Sequence, residues 1–191
     1  MKALCLEVFA TREGYAWVAA TADGIVGSVY SEETPEAAAR LLVWCAGKAV
    51  ASGSRQAVAE QLATGGRVCR GDSAEAAKVA TLGRKRLEAL AKGNRDLRGV
   101  PLDVSLRTPF RQAVLLEVAQ IPPGTTLSYG EVATRVGRPG GARAVGQTMA
   151  QNPLAPFVPC HRVIASDGSL HGFAGGLDAK AALLRAEGLD Y

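Results

Sequence analysis

The spacing of apolar residues changes character once along this chain, and that change limits the fold more than any other feature. In the first thirty residues apolar side chains recur at every second position. Leu4, Leu6 and Val8 share one face, Tyr15, Trp17 and Ala19 follow, and a third run holds Ile25, Val26 and Val29. A two-residue period places one face of a strand against a core, and Asp23-Gly24 is a two-residue hairpin signal between the last two runs. Beyond about residue 105 the period lengthens and short helices are marked by their caps. Thr108-Pro109 supplies an N-cap and a first-turn proline for a helix with Phe110, Val114, Leu115, Val118 and Ile121 on one side, stopped by Pro122-Pro123-Gly124. Ser128-Tyr129-Gly130-Glu131 has capping-box spacing for a helix through Val136, closed by Gly137. A third helix is expected from Ala142 to Gln151, broken at Asn152-Pro153.

Between these regions the signals are sparser. Thr34-Pro35 opens a helix expected to reach Cys45, and residues 47–72 suggest only a short helix between loops. Asp72-Ser73-Ala74-Glu75 has capping-box spacing for a long helix that stops near Gly93-Asn94, and Val100 to Leu106 reads as a strand or an extended linker. After Cys160 a short strand (Val163, Ile164) and a turn (Ser166 to Ser169) lead to a last helix, capped by Asp178 and ending at Gly188. The expected class is α+β, with an α/β-like first domain at 1–104 and a helical second domain at 105–191. Two short helices joined by the Gly/Pro-rich turn at Arg138-Pro139-Gly140-Gly141 fit a helix-turn-helix whose later helix is the recognition helix.

Composition narrows the setting. No apolar run approaches the ~18 residues that span a bilayer, and Glu7 interrupts the apolar start, so neither a signal peptide nor a membrane partner is expected. A cytoplasmic location follows, and the Ala/Gly/Arg-rich composition suggests a prokaryote. Cys5, Cys45, Cys69 and Cys160 lie far apart, and both histidines, His161 and His171, fall near the last of them. That distribution argues against a structural zinc site, and a Cys45–Cys69 disulfide would be unusual in a reducing cytosol. The net charge of +4 permits an anionic partner. Its distribution says more: from Val132 to Ser166 there are four arginines (Arg135, Arg138, Arg143, Arg162) and no acidic residue. Lys78 to Arg98 carries seven basic residues against Glu88 and Asp96, and reads as a solvated helix face.

Chemistry concentrates at Pro159-Cys160-His161-Arg162-Val163-Ile164. A thiol reacts as its thiolate, and an unperturbed cysteine is mostly protonated at neutral pH, so an adjacent base or cation decides its reactivity. Sequence neighbours do not face each other on a strand or helix. Pairing of Cys160 with His161 therefore requires a bend at Pro159 or a bridging water. Asn152 is a candidate to fix that bend, and Glu187 to orient the imidazole as third member.

These residues together resemble the O6-alkylguanine–DNA alkyltransferase family. Pro159-Cys160-His161-Arg162-Val163 is similar to its active-site signature, and Ser128-Tyr129-Gly130 to its tyrosine-bearing turn. Ala142-Arg143-Ala144-Val145-Gly146 resembles its recognition helix, Asn152-Pro153 stands eight residues before the cysteine, and Gly172-Phe173-Ala174-Gly175-Gly176-Leu177 resembles its pocket loop. Glu187-Gly188 matches the end of its relay. The resemblance covers roughly residues 105–191 and implies a winged helix-turn-helix-like second domain behind an RNase H-like first domain.

It further implies single-turnover DNA repair by direct damage reversal. The alkyl group of O6-alkylguanine, and of O4-alkylthymine where accepted, passes irreversibly to Cys160. His161 acts through a water, Glu187 holds His161, Asn152 shapes the turn and Tyr129 donates to the leaving base. Val163, Phe173, Ala174, Gly175 and Met149 form the base pocket. Arg143, with Gly141, Ala142, Ala144, Gly146 and Tyr129, contacts double-stranded DNA through the minor groove, where Arg143 replaces the flipped guanine. No metal or organic cofactor is implied. The expected protein is a monomer, nucleoid-associated when on DNA, with cooperative binding along DNA left open.

The chain departs from the family pattern at Phe173, where a tyrosine is usual, and in lacking the N-terminal zinc ligands of some members apart from Cys5. Non-reactive relatives carry tryptophan in place of the cysteine, so Cys160 argues against that class. The alternatives are a non-catalytic helix-turn-helix regulator or damage sensor, and a cysteine hydrolase using Cys160, His161 and Glu187.

Overall fold

The computed structural model describes residues 3–11, 14–32, 67–70 and 74–191. The helix expected from Thr34 to Cys45 lies outside them, as do most of 47–72 and the cap at Asp72-Ser73. The chain divides into two units: Met1–Asp103 with Pro153–Pro156, and Val104–Asn152 with Phe157–Tyr191. The second domain expected from sequence thus cedes four residues to the first unit.

The two-residue pattern becomes an antiparallel sheet in unit 1. It contains β1 (Leu4–Thr11), β2 (Gly14–Thr21), β3 (Gly24–Glu32) and β4 (Arg67–Arg70), ordered β3-β2-β1-β4. Leu4, Leu6, Val8, Trp17 and Ile25 are buried, but so are Cys5, Glu7, Phe9, Ala16 and Val18 between them, so β1 and β2 are covered on both faces and not only on the one the alternation implies. β4 lies near the end of the 47–72 stretch, for which the sequence suggested a short helix between loops and no strand; four residues with arginines at both ends carry too little alternation to announce one. It pairs with β1, opposing Cys69 to Cys5, and these two cysteines form a disulfide. Cys69 is therefore bonded to Cys5 and not to Cys45.

The β2–β3 hairpin turns one residue earlier than its dipeptide signal, because Thr21 pairs with Gly24 and leaves Ala22 and Asp23 as the turn. Gly24 is used differently. At φ 155° it lies against the 102–103 backbone, where a Cβ would come within 2.6 Å of Leu102 C and Asp103 N. The linker is held there, with Ile25 N–H donating to Pro101 O (2.8 Å) and Asp103 N–H to Ile25 O (2.8 Å). On the β3 edge Ser28 N–H donates to Pro153 O (2.9 Å) and its hydroxyl to Ala155 O (2.8 Å).

Helix α1 (Ala74–Ala91) packs on this sheet and ends just before Gly93-Asn94. Its buried residues, Ala76, Ala80, Gly83 and Leu87, recur at three- and four-residue steps and so form one stripe. At Gly83 a Cβ would sit 2.8 Å from Ile25 Cδ1, so the glycine is what allows the helix this close to the strands.

Unit 2 is mostly helical. It holds α2 (Pro109–Val118), α3 (Tyr129–Arg135), α4 (Ala142–Ala150) and α5 (Leu177–Arg185), with a parallel pair β5 (Leu127–Ser128) and β6 (Val163–Ile164). Val114, Leu115, Val118, Val132, Val145, Phe157, Val158, Val163 and Leu184 are buried. The capping box is complete: Glu131 N–H donates to Ser128 Oγ (3.1 Å) and Ser128 N–H to Glu131 Oε2 (2.7 Å). The last helix differs from expectation. Gly176, at φ 84°, is its N-cap, and Asp178 falls inside the first turn, where an anion meets the positive end of the helix dipole. Among the described residues no helix is long and apolar enough to cross a membrane.

Candidate active site

The bend required beside the thiol is present. Pro159 N-caps a single 3₁₀ turn, Cys160–Arg162, which precedes β6. Asn152, where α4 has just ended, donates from Nδ2 to Val158 O (2.8 Å), and its side chain also hydrogen-bonds the Cys160 sulfur. One amide thus ties the end of α4 to the segment carrying the thiol. Burial pushes the partly buried Cys160 thiol above its ordinary range, opposed by the Asn152 hydrogen bond, by the charge of Lys180 and by backbone N–H groups of the turn. A thiol displaced upward in this way needs a base to take its proton before it attacks.

His161 is buried, and its Nε2 lies 3.1 Å from Glu187 Oε1. Glu187 follows α5, with its backbone N–H on Leu184 O. Its side chain is only 3% exposed and is held from three directions. Arg162 donates from Nη2 to Oε1 (2.7 Å) and from Nε to Oε2 (3.0 Å), and Gly124 N–H donates to Oε2 (3.3 Å). Burial alone would raise this carboxyl; hydrogen bonds from His161 and Arg162 overcome it and hold Glu187 at about 2. An ionised Glu187 accepts from His161 Nε2–H, which leaves the lone pair on Nδ1 as the site for a proton. The pair can therefore accept a proton and stabilise the imidazolium that results.

Tyr129, the first residue of α3, lies beside α4: a Cβ on Gly146 would be 3.9 Å from its ring. Its hydroxyl donates to His171 O (3.3 Å), and burial followed by the nearby Cys160 pushes its ionisation upward, so it remains a donor. Val163 is buried in β6, and Phe173 folds over its own loop, its ring 3.2 Å from where a Cβ on Gly175 would lie. Ala174 and Gly175 are exposed, while Met149 points into the unit 2 core at 7% exposure.

The acid-free arginine stretch divides into separate roles. Arg162 is buried on Glu187 and donates to Ile121 O (2.6 Å), which removes it from the surface expected to meet DNA. Arg135 pairs with Glu117 (3.2 Å), and Arg138 lies over the Phe110 ring at 5.0 Å. Arg143 is exposed and, among the described residues, has no acidic partner. It lines an open depression with Arg138, Gly141 and Gln147, flanked by the small residues Ala142 and Ala144. Val145, Thr148 and Met149 form the buried face of the same helix.

Two residues of this site escaped the sequence reading. Arg162 stands in the active-site signature and in the acid-free arginine stretch, but nothing in its sequence position announces the Glu187 anchor it forms. Lys180 was not singled out at all. It is fully buried, and its Nζ donates to Val163 O (2.6 Å) and His171 O (3.2 Å). Its only sequence signal is its place on the α5 stripe, four residues before buried Leu184. Among the described residues no cluster of three or more His, Cys, Asp or Glu side chains could hold a metal ion.

A bent cysteine turn, a His–Glu pair behind it and a small-residue helix bearing one exposed arginine all lie within unit 2. Residues 109–189 match the family model described as the DNA-binding domain of 6-O-methylguanine DNA methyltransferase. Through this region the chain is similar to the O6-alkylguanine–DNA alkyltransferase family. The methylated-DNA–protein-cysteine methyltransferase of Mycobacterium bovis is 49% identical over 92 residues, covering 48% of this chain and 51% of that protein. That of Salmonella typhimurium is 49% identical over 81 residues, covering 42% and 47%. The matched region thus spans about half the length of these curated relatives. The crystal structure of Mycobacterium tuberculosis O6-methylguanine methyltransferase has a TM-score of 0.63 at 29% identity, covering 96% of this chain and 92% of that one. A Mycobacterium tuberculosis OGT solved in complex with DNA has the same TM-score at 27% identity, with the same coverage.

Proposed function

We propose that this protein repairs O6-alkylguanine in double-stranded DNA by moving the alkyl group irreversibly onto Cys160. The observation that carries the reading is the buried His161–Glu187 pair, whose imidazole shares one 3₁₀ turn with the Cys160 thiol that Asn152 also hydrogen-bonds. His161, through one water, takes the thiol proton, and Glu187 stabilises the imidazolium. The thiolate attacks the alkyl carbon; the S–C bond forms as the C–O6 bond breaks, and the guanine leaves with the electron pair. Tyr129 donates a hydrogen bond to the base as negative charge develops on it. Val163, Phe173, Ala174 and Gly175 frame the base, with Met149 packed behind. A thioether does not hydrolyse, so each molecule acts once.

The target carbon is out of reach inside stacked DNA, so the nucleotide must be flipped out at a cost of a few kcal/mol. Exposed Arg143 fills the gap. Gly141, Ala142, Ala144 and Gly146 let α4 approach a minor groove only ~6 Å wide. In this reading α3 and α4 form the helix-turn-helix of a winged domain, and unit 1 is an RNase H-like scaffold. The protein works as a cytoplasmic monomer on DNA.

Incubation with O6-methylguanine duplex DNA followed by intact-mass and peptide analysis tests the reading. One methyl group on Cys160 is expected, and none in Cys160→Ala. Unmodified wild-type protein after complete mixing overturns it. Binding to damaged DNA without mass gain would favour the damage-sensor alternative.

A further inference from the structure

The charges around the thiol do not balance in the resting state. Arg162 and Glu187 neutralise each other at 2.7 Å, with His161 attached to the same carboxylate. Lys180 has no such partner. Its ammonium is fully buried, yet it is bonded to two neutral carbonyls and stands 5.7 Å from the centre of the Tyr129 ring. Among the described residues no carboxylate lies within ion-pair distance of it. A buried ammonium without an anion is costly. Two carbonyls and a ring face offset part of that cost and leave one N–H unaccounted for.

The groups facing this region are Cys160 and His161 from the 3₁₀ turn, Tyr129 from α3, His171 from the loop and Glu187 from beyond α5. Glu187 is already matched by Arg162. Tyr129 and the two carbonyls stay neutral. Only Cys160 gains a negative charge during the reaction proposed above.

We propose that Lys180 is the positioning residue that sets thiol ionisation: its buried ammonium is the counter-charge awaiting the Cys160 thiolate. Its two carbonyl bonds do the aiming. The Val163 carbonyl belongs to the strand leaving the thiol turn, and the His171 carbonyl also accepts from Tyr129. One ammonium therefore ties α5 to β6 and to the loop that holds the Tyr129 hydroxyl. Burial draws the Lys180 ammonium below its ordinary range while Cys160 pushes it back up, and in return Lys180 lowers the Cys160 thiol against its burial. The coupling is reciprocal, as linkage requires. No atom is transferred to or from Lys180; the thiol proton still goes to His161. The chemistry rests on the repair reading, but the electrostatic assignment does not depend on DNA.

The test follows the pH dependence of Cys160 carbamidomethylation by iodoacetamide without DNA, resolved from the other cysteines by peptide mass analysis. Lys180→Met removes charge and donors; Lys180→Gln removes the charge and keeps two N–H donors. Both are expected to raise the midpoint by about one pH unit and to slow modification about tenfold near neutral pH. Methyl transfer from O6-methylguanine DNA should slow in parallel and recover at alkaline pH. A Lys180→Gln profile that coincides with wild type overturns the proposal, leaving Lys180 as a carbonyl clamp. Should both variants fail to fold, the Lys180 Nζ titration is followed by NMR in wild type and Cys160→Ser. A lower midpoint in Cys160→Ser is expected, and identical midpoints overturn the proposal. A shifted iodoacetamide profile in a protein that takes no methyl from DNA would remove the repair reading and leave this one standing.

Discussion

Arg162 is the residue whose part in the molecule differs most from what its neighbourhood in sequence suggests. It lies in a stretch with four arginines and no acid, which invites a phosphate-binding role. Its guanidinium is instead 4% exposed and grips both oxygens of Glu187. The planar fork fits a carboxylate in a way that a lysine point charge does not. Arg162→Met strands a buried carboxylate and should cost about 3 kcal/mol, within the range for breaking a buried pair from one side. Arg162→Lys should cost less and still slow alkyl transfer, because Glu187 is then free to swing from His161. Thermal denaturation and single-turnover transfer measure both; a stable, fully active Arg162→Met would show that Gly124 and His161 alone hold the carboxylate. The thiol, the imidazole, Asn152 and Glu187 were legible because their types and order are unusual in a chain with two histidines. Arg162 and Lys180 were not, because a basic residue reads as solvated until the fold buries it.

At the scale of elements, a signal is legible when the residues that decide it are neighbours in sequence. The Ser128 capping box involves residues three apart and forms as its spacing demands. It also has a task beyond helix stability, since Tyr129 is the next residue and its aim depends on where α3 begins. Ser128→Ala should lower stability by about 1 kcal/mol, the usual loss for an N-cap. It should also slow transfer by more than that stability loss explains. Glu131→Gln keeps the reciprocal bond and should stay near wild type on both measures. Equal transfer rates in Ser128→Ala and wild type would separate the cap from Tyr129. Elements that depend on distant partners were less visible. β4 is a strand because β1 pairs with it, and the parallel β5–β6 pair joins segments thirty-six residues apart. In each case the deciding contact lies outside the window that sets local preference.

At the scale of the whole molecule, stability should report the site through pH. The Glu187 carboxyl falls from 4.5 to about 2 on folding, so the folded state binds fewer protons than the unfolded chain between those values. Its contribution is fully present above pH 4.5 and disappears as the pH falls toward 2. Allowing for solvent screening, that contribution is about 1–2 kcal/mol. Glu131 and Asp167 are also drawn down, each first by a hydrogen bond with its neighbouring serine, but both are exposed and share the same acid window. The slope of wild type alone therefore does not isolate the site; comparison with Glu187→Gln does. The choice of probe matters in a chain of two units. Both tryptophans, Trp17 and Trp44, precede residue 104, so indole fluorescence follows unit 1. Unit 2 is better followed through backbone NMR signals of Tyr129 and Val163 during urea titration at pH 7, 4.5 and 3. Glu187→Gln should be less stable than wild type at pH 7, with the gap narrowing by about 1–2 kcal/mol as the pH falls toward 2. Parallel curves across that range would mean that Glu187 does not change its proton affinity on folding, and the charge pairing at the centre of unit 2 would need another description.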